Sequence, residues 1–195
     1  MMIRFKLNGV TVCIEFSFFA VVTLLILCSD SIYAVYSMYA CLLHEAGHLI
    51  MMLITKQKVK RLVFYGAGIK IVPLKNCETE EFIYEILVLS AGCVVNFIVF
   101  LLLMCCEFLS DFAAVNLAVG LFNSLPLFFL DGGKIIIQSF YRFLNFDKAV
   151  KLEKGLKNAG AVIVTVIAIV LYLIGVNNFT IYITLFFLMI SSFLM

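Results

Sequence analysis

The feature that most constrains this chain is where its positive charge lies. All fourteen lysines and arginines fall in three places: the N-terminus (Arg4 and Lys6), residues 56–75 and residues 134–157. Between them run long apolar stretches. The hydrocarbon core of a bilayer is ~30 Å thick, and a helix needs about 20 apolar residues to cross it. Hydrophobic residues make up 65% of this chain, against roughly half of a soluble domain. An integral membrane protein is expected, with room in 195 residues for about six helices and a single domain, residues 1–195. The net charge of +2 is too small to suggest nucleic acid as a partner.

The apolar runs place six spans at about Ile14–Cys28, Ile32–Ile54, Glu81–Cys106, Phe112–Leu130, Ala159–Val176 and Phe179–Met195. The loops after the first, third and fifth spans contain no Lys or Arg, whereas those after the second and fourth carry them. Cytoplasmic loops hold the excess of Lys and Arg, so both termini are expected in the cytoplasm. Asn8-Gly9 lies between the alternating runs Ile3–Leu7 and Val10–Ile14, a strong hairpin signal. Val59–Phe64 and Ile69–Val72 flank Tyr65-Gly66-Ala67-Gly68, with Pro73 ending the pattern, and predict a second hairpin. Lys134–Asn158 mixes aromatic and aliphatic residues with lysines, a composition suited to an interfacial helix. The expected fold is thus an all-α polytopic membrane protein, six transmembrane helices with small β-hairpins at the cytoplasmic membrane surface.

Glu15 and the absence of a small-residue cleavage site argue that the N-terminal segment is retained rather than removed as a signal peptide. Seven cysteines (Cys13, Cys28, Cys41, Cys77, Cys93, Cys105 and Cys106) form no C-x-x-C pair and lie mostly in or beside apolar runs. They read as small buried hydrophobes.

Chemistry is concentrated in the second span, at His44-Glu45-Ala46-Gly47-His48. Positions i and i+4 share a helix face, so His44 and His48 can present two imidazoles to one metal ion. Glu45 then stands beside the ion, placed to take a proton from water activated there. These are the only two histidines in the chain, and ionisable groups inside a spanning helix are costly enough to be functional by default. A catalytic zinc usually takes three protein ligands. Asp131, at the inner end of the fourth span, and Glu85, near the inner start of the third, are the acids on the right side of the membrane. Asp131 is favoured because Gly132 and Gly133 permit close approach and Pro126 opens the helix ahead of it. His44 lies ten residues, about 15 Å, before the inner end of its span, and a helix broken at Pro126 would bring Asp131 inward to meet it. Such breaks are tolerated where they line a watery cavity.

These residues resemble the site-2 protease family of intramembrane metalloproteases, whose signature is H-E-x-x-H plus N-x-x-P-x-x-x-L-D-G. The second motif is matched by Asn123-Ser124-Leu125-Pro126-Leu127-Phe128-Phe129-Leu130-Asp131-Gly132. Ser90–Asn96 resembles the family's small-residue motif on the third span. Cys93 and Phe129 stand where many members carry proline. The likeness covers residues 1–140, and by size and layout it is to the bacterial sporulation branch, which processes a membrane-associated pro-sigma factor. Many members of that branch add a nucleotide-sensing CBS domain, which this sequence does not contain.

The resemblance implies one Zn2+ per chain on His44, His48 and Asp131, with Glu45 as general base and Asn123 holding the substrate carbonyl or developing oxyanion. It implies a membrane-associated protein substrate in a bacterial cell membrane, and it is compatible with a regulatory membrane partner. Because an intact helix shields its peptide bonds, the substrate must be extended before attack, and the Val59–Val72 hairpin edge could pair with it. An intramembrane metal transporter and a non-catalytic scaffold are the competing classes. A transporter should string ligands along a path, and a scaffold need not keep Glu45.

Overall fold

In the computed structural model the described residues are 2–7, 10–16, 23, 32–56, 59–65, 68–73, 81–105, 110–175, 182 and 185. They fall into two compact units, Met1–Leu121 and Phe122–Met195.

The first unit opens with β1 (Met2–Leu7) and β2 (Val10–Glu15), followed by helix α1 (Ile32–Ile54) and strands β3 (Val59–Tyr65) and β4 (Gly68–Pro73). Both expected hairpins form as antiparallel pairs. They are not separate ribbons, however. Parallel pairing of β2 with β3 joins them into one sheet of order β1-β2-β3-β4. The register explains why. Phe5, Val12 and Leu62 lie in one row and Ile3, Ile14 and Phe64 in another, while Arg4, Lys6 and Arg61 fall on the opposite face. Merging the hairpins therefore makes one continuous apolar face, which neither hairpin could build alone. Within the Val59–Val72 hairpin, β3 has neighbours on both sides, and the edge left open in the described sheet is that of β4.

Helix α1 has 23 residues, about 34 Å at 1.5 Å per residue. It stops where Lys56 turns to a positive φ of 54°, a left-handed conformation that ends helices. Helix α2 (Glu81–Cys105) and all but the last turn of α3 (Ser110–Ser124) complete the unit. Helix α1 lies against α2 through small residues. A Cβ on Gly47 would fall 2.7 Å from the Ala91 carbonyl oxygen, and Ala40, Ala91 and Ala113 are buried. Close backbone approach through Gly and Ala is how helices associate where lipid removes the hydrophobic drive.

The expected fourth span, Phe112–Leu130, is broken near Pro126 as expected: α3 ends at Ser124, and residues 125–130 are irregular. Pro126 has no N–H and disfavours helical geometry at Leu125. Short bonds, Leu127 N–H to Leu125 O at 2.8 Å and Leu130 N–H to Leu127 O at 2.8 Å, replace the helical ladder. Asp131 begins the next helix, α4 (Asp131–Phe143), rather than ending the previous one. The expected interfacial segment Lys134–Asn158 is likewise divided, since α4 stops at Phe143. Helix α5 (Phe146–Leu173) then runs unbroken from the lysine-rich stretch into the expected fifth span.

Three described helices are long and apolar enough to cross a membrane, Ile32–Ile54, Phe82–Cys105 and Phe146–Leu173. Their outward residues are large and apolar, with Leu53 at 74% exposure, Leu102 at 60% and Tyr172 at 76%, a surface suited to lipid rather than water. The sixth span and most of the first lie outside the described residues.

Candidate metal centre

The buried stripe of α1 is Ala40, His44, Gly47, His48 and Met52, a helical repeat of three and four. It sets the two imidazoles edge to face with centroids 4.7 Å apart and their Nε2 atoms 3.1 Å apart. The facing stripe of α2 is Val88, Gly92 and Asn96, each four residues from the next. The His48 Nδ1–H donates to the Val88 carbonyl at 2.6 Å, and His44 Nδ1 is 3.2 Å from Asn96 Oδ1. Both rings are therefore held from behind by their Nδ1 atoms, and both Nε2 atoms turn toward one another. Between them on the helix opposite is Gly92, where a Cβ would come within 2.6 Å of His48 Nε2 and 2.7 Å of His44 Nε2.

The arrangement fits a metal ion on three counts. Two nitrogens each ~2.0–2.1 Å from one ion stand no more than about 4.2 Å apart, and 3.1 Å lies within that limit. With Nδ1 engaged behind each ring, the two Nε2 atoms, 3.1 Å apart, are close enough to share one cation when neither carries a proton. Ligating histidines characteristically donate their other N–H to a carbonyl or carboxamide oxygen. The space in front of the rings is kept open by the missing side chain at Gly92.

Glu45, the residue after His44, is half-buried on α1, and Glu85 is half-buried on α2. Asn96 is the functional residue that sequence reasoning undervalued. In sequence it stands only as the end of the small-residue motif Ser90–Asn96; in the structure it donates to Ala40 O at 3.2 Å and to Asn116 Oδ1 at 3.3 Å, and it also holds His44. The signal was available in the spacing, because Asn96 lies one turn after Gly92 on the same face.

In the second unit Asp131 is the first residue of α4 and is buried. A carboxylate there is favoured by the helix N-terminus, and Lys134 Nζ sits 2.9 Å from its Oδ1. The two glycines that follow are sterically required. A Cβ on Gly132 would run into the carbonyl oxygen of Ser124, and one on Gly133 into that of Leu127. The turn 125–130 thus lies directly against the start of α4, with Leu127, Phe128 and Leu130 buried. Asn123 is half-buried in the last turn of α3. From α5, Lys157 places its ammonium 5.5 Å from the centroid of Phe128 and pairs with Glu153 at 3.0 Å.

Spanning-length helices, a small surface sheet and a buried histidine pair define the class, a polytopic membrane protein with its polar chemistry inside the helices. Among solved structures the chain is similar to the site-2 protease from Methanocaldococcus jannaschii, with a TM-score of 0.69 and 20% sequence identity over 98% of this chain and 94% of that one. At that identity the likeness is one of fold. No family model matches the chain, and no curated protein matches it.

Proposed function

We propose that the protein is an intramembrane zinc metalloprotease that hydrolyses peptide bonds of membrane-associated proteins. The observation that carries this reading is the buried His44–His48 pair, its Nε2 atoms 3.1 Å apart within an H-E-x-x-H helix. The fold shared with a site-2 protease supports it. His44, His48 and Asp131, all buried and each offering one ligand atom, would hold one Zn2+ per chain. Two neutral imidazoles and a carboxylate are a donor set that zinc favours, with a fourth position left for water or substrate.

When bound, zinc supplies Lewis acidity, polarising the scissile carbonyl and lowering the pKa of water toward neutrality. Glu45 takes the proton from the attacking water and returns it to the leaving amine. Asn123 hydrogen-bonds the substrate carbonyl or the oxygen on which charge develops. The substrate reaches the site in extended form, and β4, an edge strand with ladder groups to offer, is the place for it to pair. A pro-sigma factor in a bacterial cell membrane is the substrate to which the resemblance to the sporulation branch points. Residues 1–195 act as one domain of six spans with both termini in the cytoplasm, as the lysine and arginine distribution requires.

The test is zinc per chain in detergent-purified protein, wild type beside Asp131→Ala, followed by cleavage with Glu45→Gln. The expected results are about one zinc in the wild type, zinc lost or greatly weakened in Asp131→Ala, and zinc retained with cleavage abolished in Glu45→Gln. Unchanged zinc in Asp131→Ala would remove Asp131 from the ligand set in favour of Glu85. No zinc in either protein would overturn the protease reading.

A further inference from the structure

We infer that Asn96 and Asn116 form a directional relay that fixes which nitrogen of His44 carries its proton. A residue on α3, two hydrogen bonds away from the ring, thereby sets the donor atom that His44 presents. The inference builds on the reading of His44 as a metal ligand, and its test is independent of it.

Both asparagines are completely buried, so neither amide has water with which to reorient. The far end of the chain sets the direction. The Phe112 carbonyl oxygen can only accept, and the Asn116 amide atom 2.9 Å from it must be the nitrogen. Asn116 therefore turns its Oδ1 to Asn96. The neighbours of the Asn96 amide nitrogen are Asn116 Oδ1 and the Ala40 carbonyl, at 3.3 and 3.2 Å, and both accept. Asn96 thus spends its two N–H groups on these partners and has only its Oδ1 to offer His44 Nδ1, 3.2 Å away. His44 must donate, and a neutral ring that donates from Nδ1 carries its lone pair on Nε2. The proton positions follow from this accounting of donors and acceptors. Flipping either amide would set like groups face to face in a dry site, with no means of relief.

The two histidines thus differ in how they are held. His48 faces a backbone carbonyl directly, and a side-chain substitution does not remove it. His44 depends on two side chains drawn from two other helices. Asn96 and Asn116 are accordingly positioning residues for His44, and His48 is an internal control.

The experiment uses 15N-histidine-labelled, zinc-free protein. With two histidines in the chain, both tautomers are read directly. In the wild type both rings should be protonated at Nδ1. Asn96→Leu should shift His44 toward the Nε2–H form, leave His48 unchanged and weaken zinc binding roughly 10- to 100-fold. Asn96→Asp, which still accepts from His44, should keep the ring's Nδ1–H form but lower stability, because its second oxygen then faces the acceptors Ala40 O and Asn116 Oδ1. Asn116→Leu should move His44 in the same direction as Asn96→Leu but less far, because Ala40 still anchors Asn96. A wild-type His44 protonated at Nε2 would overturn the relay. So would a His44 signal unmoved in both leucine variants. If Asn96→Leu does not fold, the wild-type and Asn116→Leu spectra decide alone. A confirmed relay in a protein that binds no zinc would sink the metal reading only, and zinc binding without any tautomer change would sink the relay only.

Discussion

Gly92→Ala is the most informative single substitution, because the methyl group would be built where the two imidazoles converge. The new Cβ lies 2.6 Å from His48 Nε2 and 2.7 Å from His44 Nε2, whereas ordinary contact begins at 3.4 Å. Both rings must therefore retreat, by about 0.8 Å for His48 and about 0.7 Å for His44. Ring ends ordinarily swing aside at small cost, but these are tethered through Nδ1. The bond to Asn96 is already 3.2 Å long, and such a retreat carries it past hydrogen-bonding distance. Metal–ligand distances tolerate only ~0.2 Å. Loss of a single outer partner typically costs 10- to 100-fold in metal affinity, and displacement of both ligands should reach at least 100-fold, about 2.7 kcal/mol. The assay is a competition titration with a chromophoric chelator, beside thermal unfolding of the zinc-free protein. Gly155→Ala is the matched control, since nothing lies within 4 Å of a Cβ there and relief of a mid-helix glycine should stabilise by about 0.5–1 kcal/mol. A folded Gly92→Ala protein that binds zinc within roughly threefold of wild type would refute the idea that Gly92 keeps the space open.

Two further substitutions probe the proposed role of Asp131. Gly133→Ala drives a methyl group into the Leu127 carbonyl, a backbone atom that cannot swing away, so about 1–3 kcal/mol of stability should be lost. Zinc should be lost with it because Asp131 is displaced, and thermal unfolding and metal content report the two effects. Lys134→Met removes a cation from Asp131 Oδ1. Since Lys134 is half exposed, the stability cost in zinc-free protein should stay below about 1 kcal/mol. Relief of like-charge repulsion at the shared carboxylate should raise zinc affinity roughly two- to fivefold.

The histidine half of the site was legible because it is local: four residues on one helix fix two rings on one face, whatever the rest of the chain does. Asn96 was legible as a polar group needing partners, but its partners are 52 and 20 residues away in sequence, and no spacing rule reaches so far. Pro126 correctly marked a break, because a missing N–H is a property of the residue itself. What lies beyond the break was misjudged. Asp-Gly-Gly resembles a helix end, and only contact with Ser124 and Leu127 shows that the glycines serve to start the next helix. The unbroken helix Phe146–Leu173 was hidden for another reason. The composition changes near Asn158, where the chain leaves a polar setting for an apolar one, but helical hydrogen bonds are indifferent to that change. The joining of the two hairpins depends on a parallel pairing that forms across an intervening helix.

The interruption between Ser124 and Asp131 bears on how the chain is made. Phe112–Leu130 is a largely apolar stretch of membrane-spanning length with no charged residue, and hydrophobicity is what marks a segment for insertion. A lone segment in lipid has to be helical throughout, because an open backbone there leaves polar groups without partners. The folded protein nevertheless has residues 125–130 unwound. On the reading of this segment as a span, it enters the bilayer as a helix and gives up its last turns only once the freed amides find polar partners. On the proposed reading, the turn that carries Asp131 takes its final shape late in assembly.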